Sequence, residues 1–354
     1  MPAPLLSELK SQETAKTTLE RALEKDRVHH AYLFTGPNGV GKELAAFGLA
    51  QALVCERRTP SDQGGLFGGG APAPGSKKSA CGECSACLRA VPRAEDPEEQ
   101  KRATPVHPDV VVIERGLYAP QAIGRRTQET QDISIDQVRT LVLARAAFAP
   151  HEGRAKVFII RRAEELSVSA ANALLKTLEE PGAKTHFILL SSQPEALLPT
   201  ILSRTLKVRF APLPDDLVSE LLEARGIEKK RAKEVARLAG GSVEMGELLA
   251  DPEESEARER FVERALAAIS AAPLDGVLSL AEDAKKEKDA LPARIAALAS
   301  ALAERAGTAA REGAPDAETL ANRGRHALTA LEHLAGNSAP QMVVEAMLTR
   351  MRAI

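Results

Sequence analysis

Short apolar runs punctuate the first 210 residues. Segments 31–35 (AYLFT), 110–113 (VVVI), 157–160 (VFII) and 187–190 (FILL) are continuous and bounded by polar sequence. Continuous runs of this length predict strands buried on both faces of a parallel sheet, where a half-exposed strand would alternate instead. Helix-like segments separate them, so residues 1–210 are expected to form an α/β domain. The pattern then changes. Residues 215–250 read as a few short helices, broken at Gly226 and at Gly240-Gly241. Beyond residue 253 the segments 265–270, 293–305, 318–334 and 339–352 are rich in Ala and Leu with helical periodicity, and no strand candidate remains. Pro273, Pro292, Pro315 and Pro340 fall where these helices should start or stop. The expected division is an α/β domain over 1–210, a small helical segment over 211–252 and an all-helical domain over 253–354.

Composition narrows this picture in two ways. The 47 basic and 49 acidic side chains nearly cancel, to a net charge of -2. A protein that grips nucleic acid unaided usually carries a basic excess, because affinity comes from displacing counterions at phosphates. Any DNA contact is therefore expected to be local or shared with partners. No apolar run approaches the ~18–20 residues of a membrane span, and the polar stretch from Met1 to Lys16 lacks the apolar core of a signal peptide. A cytoplasmic protein with reduced cysteines is expected. Two inserts interrupt the first domain: 59–79 is Gly/Pro/Ser-rich, of a composition expected to form a mobile loop, and 93–105 is polar.

Gly36-Pro-Asn-Gly39-Val-Gly41-Lys42-Glu43 fits the phosphate-loop pattern GxxxxGK and departs from it only at the last position. It follows the strand candidate AYLFT and precedes a helix candidate, the context that gives the pattern meaning. Gly36, Gly39 and Gly41 let backbone N–H groups converge on phosphate, and Lys42 can reach the terminal phosphates. Glu43, however, stands where a Ser or Thr hydroxyl would ligate magnesium, and a carboxylate there repels phosphate. Lys42 favours nucleotide and Glu43 opposes it, so ATP binding is left open. The run 156–160 ends in Arg161 and Arg162, where a strand that holds magnesium carries Asp and Glu. Both halves of a metal site are thus missing, in two distant segments, which predicts no hydrolysis by the chain alone.

The four cysteines fall in one region, Cys55 and then Cys81-x2-Cys84-x2-Cys87. Two-residue spacings let thiolates converge on one tetrahedral ion, and a disulfide reading conflicts with a cytosolic setting. Structural zinc held by all four is expected within a module at about 55–90. Four thiolates leave no open position for catalysis.

The stretch 29–55, the cysteine cluster, His107-Pro-Asp109, and KVFIIRRAEELSVSAANALLKTLEEP followed by TILSR together resemble the clamp loader family of bacterial DNA polymerase III, of the AAA+ class. Specific motifs carry the resemblance over about the first 210 residues, and architecture alone carries it beyond. Family members of the tau/gamma type keep intact magnesium motifs and delta-prime members have degraded ones, so Glu43, Arg161 and Arg162 place the chain with delta-prime. The resemblance implies an AAA+ domain with a zinc module, a helical lid and a helical collar domain. It implies tau/gamma and delta subunits as partners, with the sliding clamp and primed DNA engaged through the assembly and no membrane. It also implies that Arg204, at the end of TILSR, is an arginine finger reaching the ATP of a neighbouring subunit, a role that suits a planar, always charged guanidinium. Thr205 replaces the family's Cys at the next position.

Other residues carry less. Ser192-Gln193 occupies a place where a water-sensing pair often sits, and Met245 adjoins the position where ATP-dependent members carry a lid arginine. His107 is read as a turn residue and not a ligand. Arg139 and Arg145 are candidates to face DNA in an assembled loader, against the plainer reading of a solvated helix face. Two rival functions stay open. One is an active tau/gamma-like ATPase using Glu165 or Glu180 in an unusual metal arrangement. The other is a zinc-containing nucleic-acid-binding protein with a vestigial phosphate loop.

Overall fold

The computed structural model describes residues 5–58, 79–92, 103–127, 132–152, 154–270, 273–286, 290–335 and 338–354. Of the two inserts, 59–78 and 93–102 lie outside the described residues. The chain divides into two compact units, Met1–Pro214 and Asp215–Ile354.

In the first unit β1 (Ala31–Thr35), β2 (Val110–Ile113), β3 (Lys156–Ile160), β4 (Thr185–Ser191) and β5 (Leu206–Arg209) form one parallel sheet in the order β2-β3-β4-β1-β5. The first four are the apolar runs of the sequence. They are buried almost throughout, as strands covered on both faces must be. Side chains alternate across the sheet. Ala31 and Leu33 join Val111, Ile113, Phe158, Ile160, Phe187 and Leu189 in one core. Tyr32 and Phe34 point the other way, where the Phe34 and Phe210 rings lie 5.2 Å apart.

Among the described residues, α1 (Glu13–Glu24), α2 (Lys42–Val54) and the short α3 (Ser85–Arg89) precede β2. After β2 comes α4, which starts as Ile135–Val138, widens into a π turn at Arg139–Leu143 and closes at Ala144–Ala146. Then come α5 (Val168–Glu179) and α6 (Pro199–Leu202). Val138, Leu141, Val142, Leu174 and Leu178 of α4 and α5 fill the core on the Leu33 face. α2 is apolar all round, and nearly every residue from Ala45 to Val54 is buried. Gly48 lets the N-terminal turn Leu5–Glu8 lie directly on it, for a Cβ there would meet the Leu6 nitrogen at 2.8 Å.

This strand order fixes where chemistry can sit. After β1 the chain crosses to the far edge of the sheet, whereas after β4 it passes over β1 to the near edge. Adjacent strands whose chains depart in opposite directions open a crevice beyond their carboxyl ends, the usual ligand position in such sheets. The glycine loop follows β1 there.

The second unit is helical, with no strand among its described residues: α7 (Asp215–Ala224), α8 (Lys229–Leu238), α9 (Val243–Ala250), α10 (Pro252–Ser270), α11 (Asp275–Lys286), α12 (Leu291–Glu312), α13 (Ala317–Ala335) and α14 (Pro340–Arg352). Gly226, Gly240 and Gly241 all take positive φ, so they stop helices where the sequence suggested breaks. Phe261, Leu280, Ile295, Leu298, Leu302, Val344, Met347 and Leu348 share the core of α10–α14. The sequence segment 265–270 is only the tail of α10, whose first half is mostly charged and exposed. No described helix is long and apolar enough to cross a membrane.

Candidate functional site

The glycine loop leaves β1 at Thr35 and enters α2 at Lys42. Gly36, Gly39 and Gly41 have φ of 147°, 70° and 98°, conformations that resist side chains. At Gly36 an added Cβ would also meet the Phe210 carbonyl oxygen at 2.3 Å, so the segment after β5 closes directly over the loop. The Lys42 ammonium folds back and donates to the carbonyls of Gly36 and Pro37.

Beyond the loop, Arg161 at the end of β3 reaches across to Glu43 in the first turn of α2. One Nη donates to Glu43 Oε1, and the other donates to Glu114 Oε2 at 2.8 Å. The guanidinium also lies 5.7 Å from the centroid of the Phe47 ring. Arg161 is 5% exposed, and the adjacent carboxylates keep it charged despite burial. The two departures from a magnesium site are therefore one matched change. A carboxylate stands at the metal-ligand position and a fixed cation stands at the acidic one, and each neutralises the other. Next to it, Arg162 takes a left-handed backbone and lies 3.7 Å from Glu165, which also pairs with Arg115 at 3.1 Å. Ser192 donates through its hydroxyl to Glu164 Oε1 at 2.8 Å, so the partner of this sensor-like serine is a carboxylate of its own chain.

The four cysteines are all buried, and their sulfurs lie within 4.8 Å of one another. Cys81 and Cys87 Sγ are 3.8 Å apart, and Cys84 and Cys55 Sγ are 4.0 Å apart. Backbone N–H groups of Cys81 and Cys84 point at the sulfurs of Cys55 and Cys81 at 3.4 and 3.3 Å. A hydrogen bond from Cys87 draws the Cys55 thiol down to about 4 against the effect of burial, and the same bond drives Cys87 up. Four sulfurs so placed can hold one metal ion. The cluster is tied to the rest of the unit through Arg89, which forms a two-point pair with Glu152 at 2.7 and 2.8 Å. His107 lies buried 3.1 Å from the same carboxylate, and Asp109 accepts the backbone N–H groups of His151 and Glu152. His107-Pro-Asp109 is thus a structural joint between β2 and the segment around Glu152.

Arg204 sits elsewhere. The register Tyr32↔Leu206 puts it beside His29 and His30, at the amino-terminal end of the sheet. The glycine loop lies past the opposite end of β1, roughly 15 Å away at ~3.3 Å per strand residue. The guanidinium cannot serve its own chain's loop. It pairs with Glu179 through Nε at 2.6 Å and through Nη2. Arg139 and Arg145 are exposed on α4.

Residues 11–214, more than half of the chain, match the family model described as "DNA polymerase III, delta subunit". The chain belongs to this family. It is 38% identical over 216 residues to "DNA polymerase III subunit delta'" of Pseudomonas aeruginosa, covering 60% of this chain and 53% of that protein. It is 29% identical over 244 residues to the delta' subunit of Bacillus subtilis, covering 69% and 61%. Similarity extends to "DNA polymerase III subunit gamma/tau" of Mycobacterium tuberculosis, 32% identical over 242 residues, or 67% of this chain and 35% of that one. The chain thus spans between about a third and three fifths of the length of these relatives.

Three acidic residues of this DNA polymerase III delta family member were missed in the sequence: Glu114, Glu164 and Glu179. Glu114 directly follows β2, so its place at a strand's carboxyl end was a usable signal. The pairing of Glu43 with Arg161 joins residues 118 apart and had none. Replacing Arg161 by Ala leaves two carboxylates facing each other over an uncovered Phe47. We expect a loss of about 2–3 kcal/mol in urea unfolding, at or below the usual cost of breaking a buried pair because Glu43 is half-exposed. Glu43→Gln should cost less than ~1 kcal/mol. Equal losses for the two variants would show that Arg161 is not the hub of this cluster.

Proposed function

We propose that this chain is a delta-prime-type clamp-loader subunit, inert as an ATPase, that lends Arg204 to the ATP site of a neighbouring subunit. The observation that carries this reading is the Arg161 guanidinium bound between Glu43 and Glu114. Magnesium needs oxygen ligands around an open coordination sphere next to the β- and γ-phosphates. Here a cation that cannot leave its chain fills the position, and both nearby carboxylates are engaged by it. Lys42 is also bound to loop carbonyls, so a nucleotide must first recover its ammonium. The active-ATPase reading is disfavoured on the same ground: Glu165 is held by Arg115 and Arg162.

The position of Arg204 supports the second half of the reading. It lies far from its own loop, at the sheet edge and partly exposed, a position that suits contact with a neighbouring chain. By this reading residues 1–210 form the AAA+ domain, 211–252 the lid and 253–354 the collar domain. The partners are tau/gamma and delta subunits, and the assembled loader opens the sliding clamp on primed DNA in the cytoplasm. The near-zero net charge fits a subunit that meets DNA only within that assembly.

The cysteine cluster fits structural zinc. A Zn–S bond of about 2.3 Å sets tetrahedral sulfurs roughly 3.8 Å apart, close to the 3.8 and 4.0 Å found here. Protein purified under reducing conditions should carry one zinc per chain by elemental analysis. Cys84→Ser should release it and lower the melting temperature, since bound metal contributes folding free energy. A metal-free wild-type protein of unchanged stability would contradict the site.

The functional test uses a reconstituted loader with DNA and clamp. The isolated chain should show no magnesium-dependent ATP turnover. Arg204→Ala should leave assembly intact yet slow turnover at one site of the complex, a partial loss, and lysine should substitute poorly because it lacks two-point geometry. Turnover by the chain alone would restore the tau/gamma reading. Equal rates for Arg, Ala and Lys would reduce Arg204 to a surface ion pair.

A further inference from the structure

Arg204 is not free to meet a phosphate as it stands. A guanidinium has five N–H groups, and four of them are already taken. Nε and Nη2 both donate to Glu179 Oε1, while Nη1 donates to the Thr200 carbonyl at 2.9 Å and the Ser203 hydroxyl at 3.1 Å. The two sets of bonds differ in kind. The Nη1 bonds go to α6 and its C-terminal cap, the same segment that carries Arg204, so they fix the arm. The Nε/Nη2 edge is the one that meets carboxylate or phosphate at two points, and a carboxylate occupies it.

Glu179 is an odd residue to find there. It is the last residue of α5, and the negative end of a helix disfavours an acid. There it forms an ion pair with Arg204. The pair is also reachable. Glu179 is 47% exposed, and the cleft around it, lined by His29, His30, Leu178, Ser203, Thr205 and Leu206, opens at the edge of the sheet. A triphosphate carries more charge than one half-hydrated carboxylate and can displace it.

We propose that Glu179 is a positioning residue for Arg204, holding the phosphate-binding edge of the guanidinium until a phosphate of a neighbouring subunit's nucleotide replaces it. This rests on the reading of Arg204 as a finger acting in trans. Its consequence is that part of the finger's affinity for nucleotide is offset by breaking the internal pair. The arm itself keeps its aim through Thr200 and Ser203 when the carboxylate leaves.

The experiment compares reconstituted loaders carrying the wild-type chain, Glu179→Gln, Arg204→Ala or both, with KM for ATP and kcat measured separately. Glu179→Gln should lower KM roughly two- to five-fold, the range that an exposed pair can supply, without lowering kcat. It should change nothing once Arg204 is Ala. A pair that only stabilises the fold would move the urea midpoint and leave KM alone. If Arg204→Ala slows turnover while Glu179→Gln matches the wild type, Glu179 is a bystander and the proposal fails. If Glu179→Gln lowers kcat as Arg204→Ala does, Glu179 sets the working pose and the masking role is wrong. If Arg204→Ala matches the wild type, the finger itself is refuted, and this proposal with it.

Discussion

Arg161 sets a full positive charge at the carboxyl end of β3, almost entirely out of water, and the surrounding structure is arranged to satisfy it. Glu43 approaches from the first turn of α2, Glu114 from the end of β2 and the Phe47 ring from α2. Three elements, β2, β3 and α2, are joined there by side-chain contacts. An isolated buried charge is costly, and a buried pair is only weak evidence of stability. What it does here is link β2, β3 and α2 through one side chain.

The same division of labour appears elsewhere in the first unit. Roles that ligands often fill are met internally: Lys42 by loop carbonyls, Ser192 by Glu164, Arg204 by Glu179. The cysteine cluster differs, since its four buried thiols lie close enough together to be able to hold a metal ion. Its link through Arg89 and Glu152 to the buried His107-Pro-Asp109 joint ties the cluster to the far edge of the sheet.

How much was legible in the sequence follows from how local each signal is. Four strands appear as unbroken apolar runs because both faces of the sheet are covered. β5 escapes because it is an edge strand with only Val208 buried, a pattern too short to stand out beside the motif at Arg204. α11 and the charged half of α10 are masked by Lys- and Glu-rich faces that water covers. The glycine loop, the cysteines and Arg204 were readable because each is a compact motif or lies inside one. What sequence could not supply were their partners. Glu43 and Arg161 look like two separate losses until the fold brings β3 beside α2, and Glu179 looks like part of an ordinary helix end until α6 turns back onto it.

By the proposed reading, the Arg161 guanidinium held between Glu43 and Glu114 stands where a magnesium ion would otherwise sit. Calorimetric titration of ATP into the isolated wild-type chain, once with magnesium and once with EDTA, probes that position. If Arg161 holds that position, the two isotherms superimpose, whatever affinity the glycine loop retains. Binding that tightens tenfold or more in magnesium would mean that the ion still finds a place beside the phosphates, and the account would be wrong.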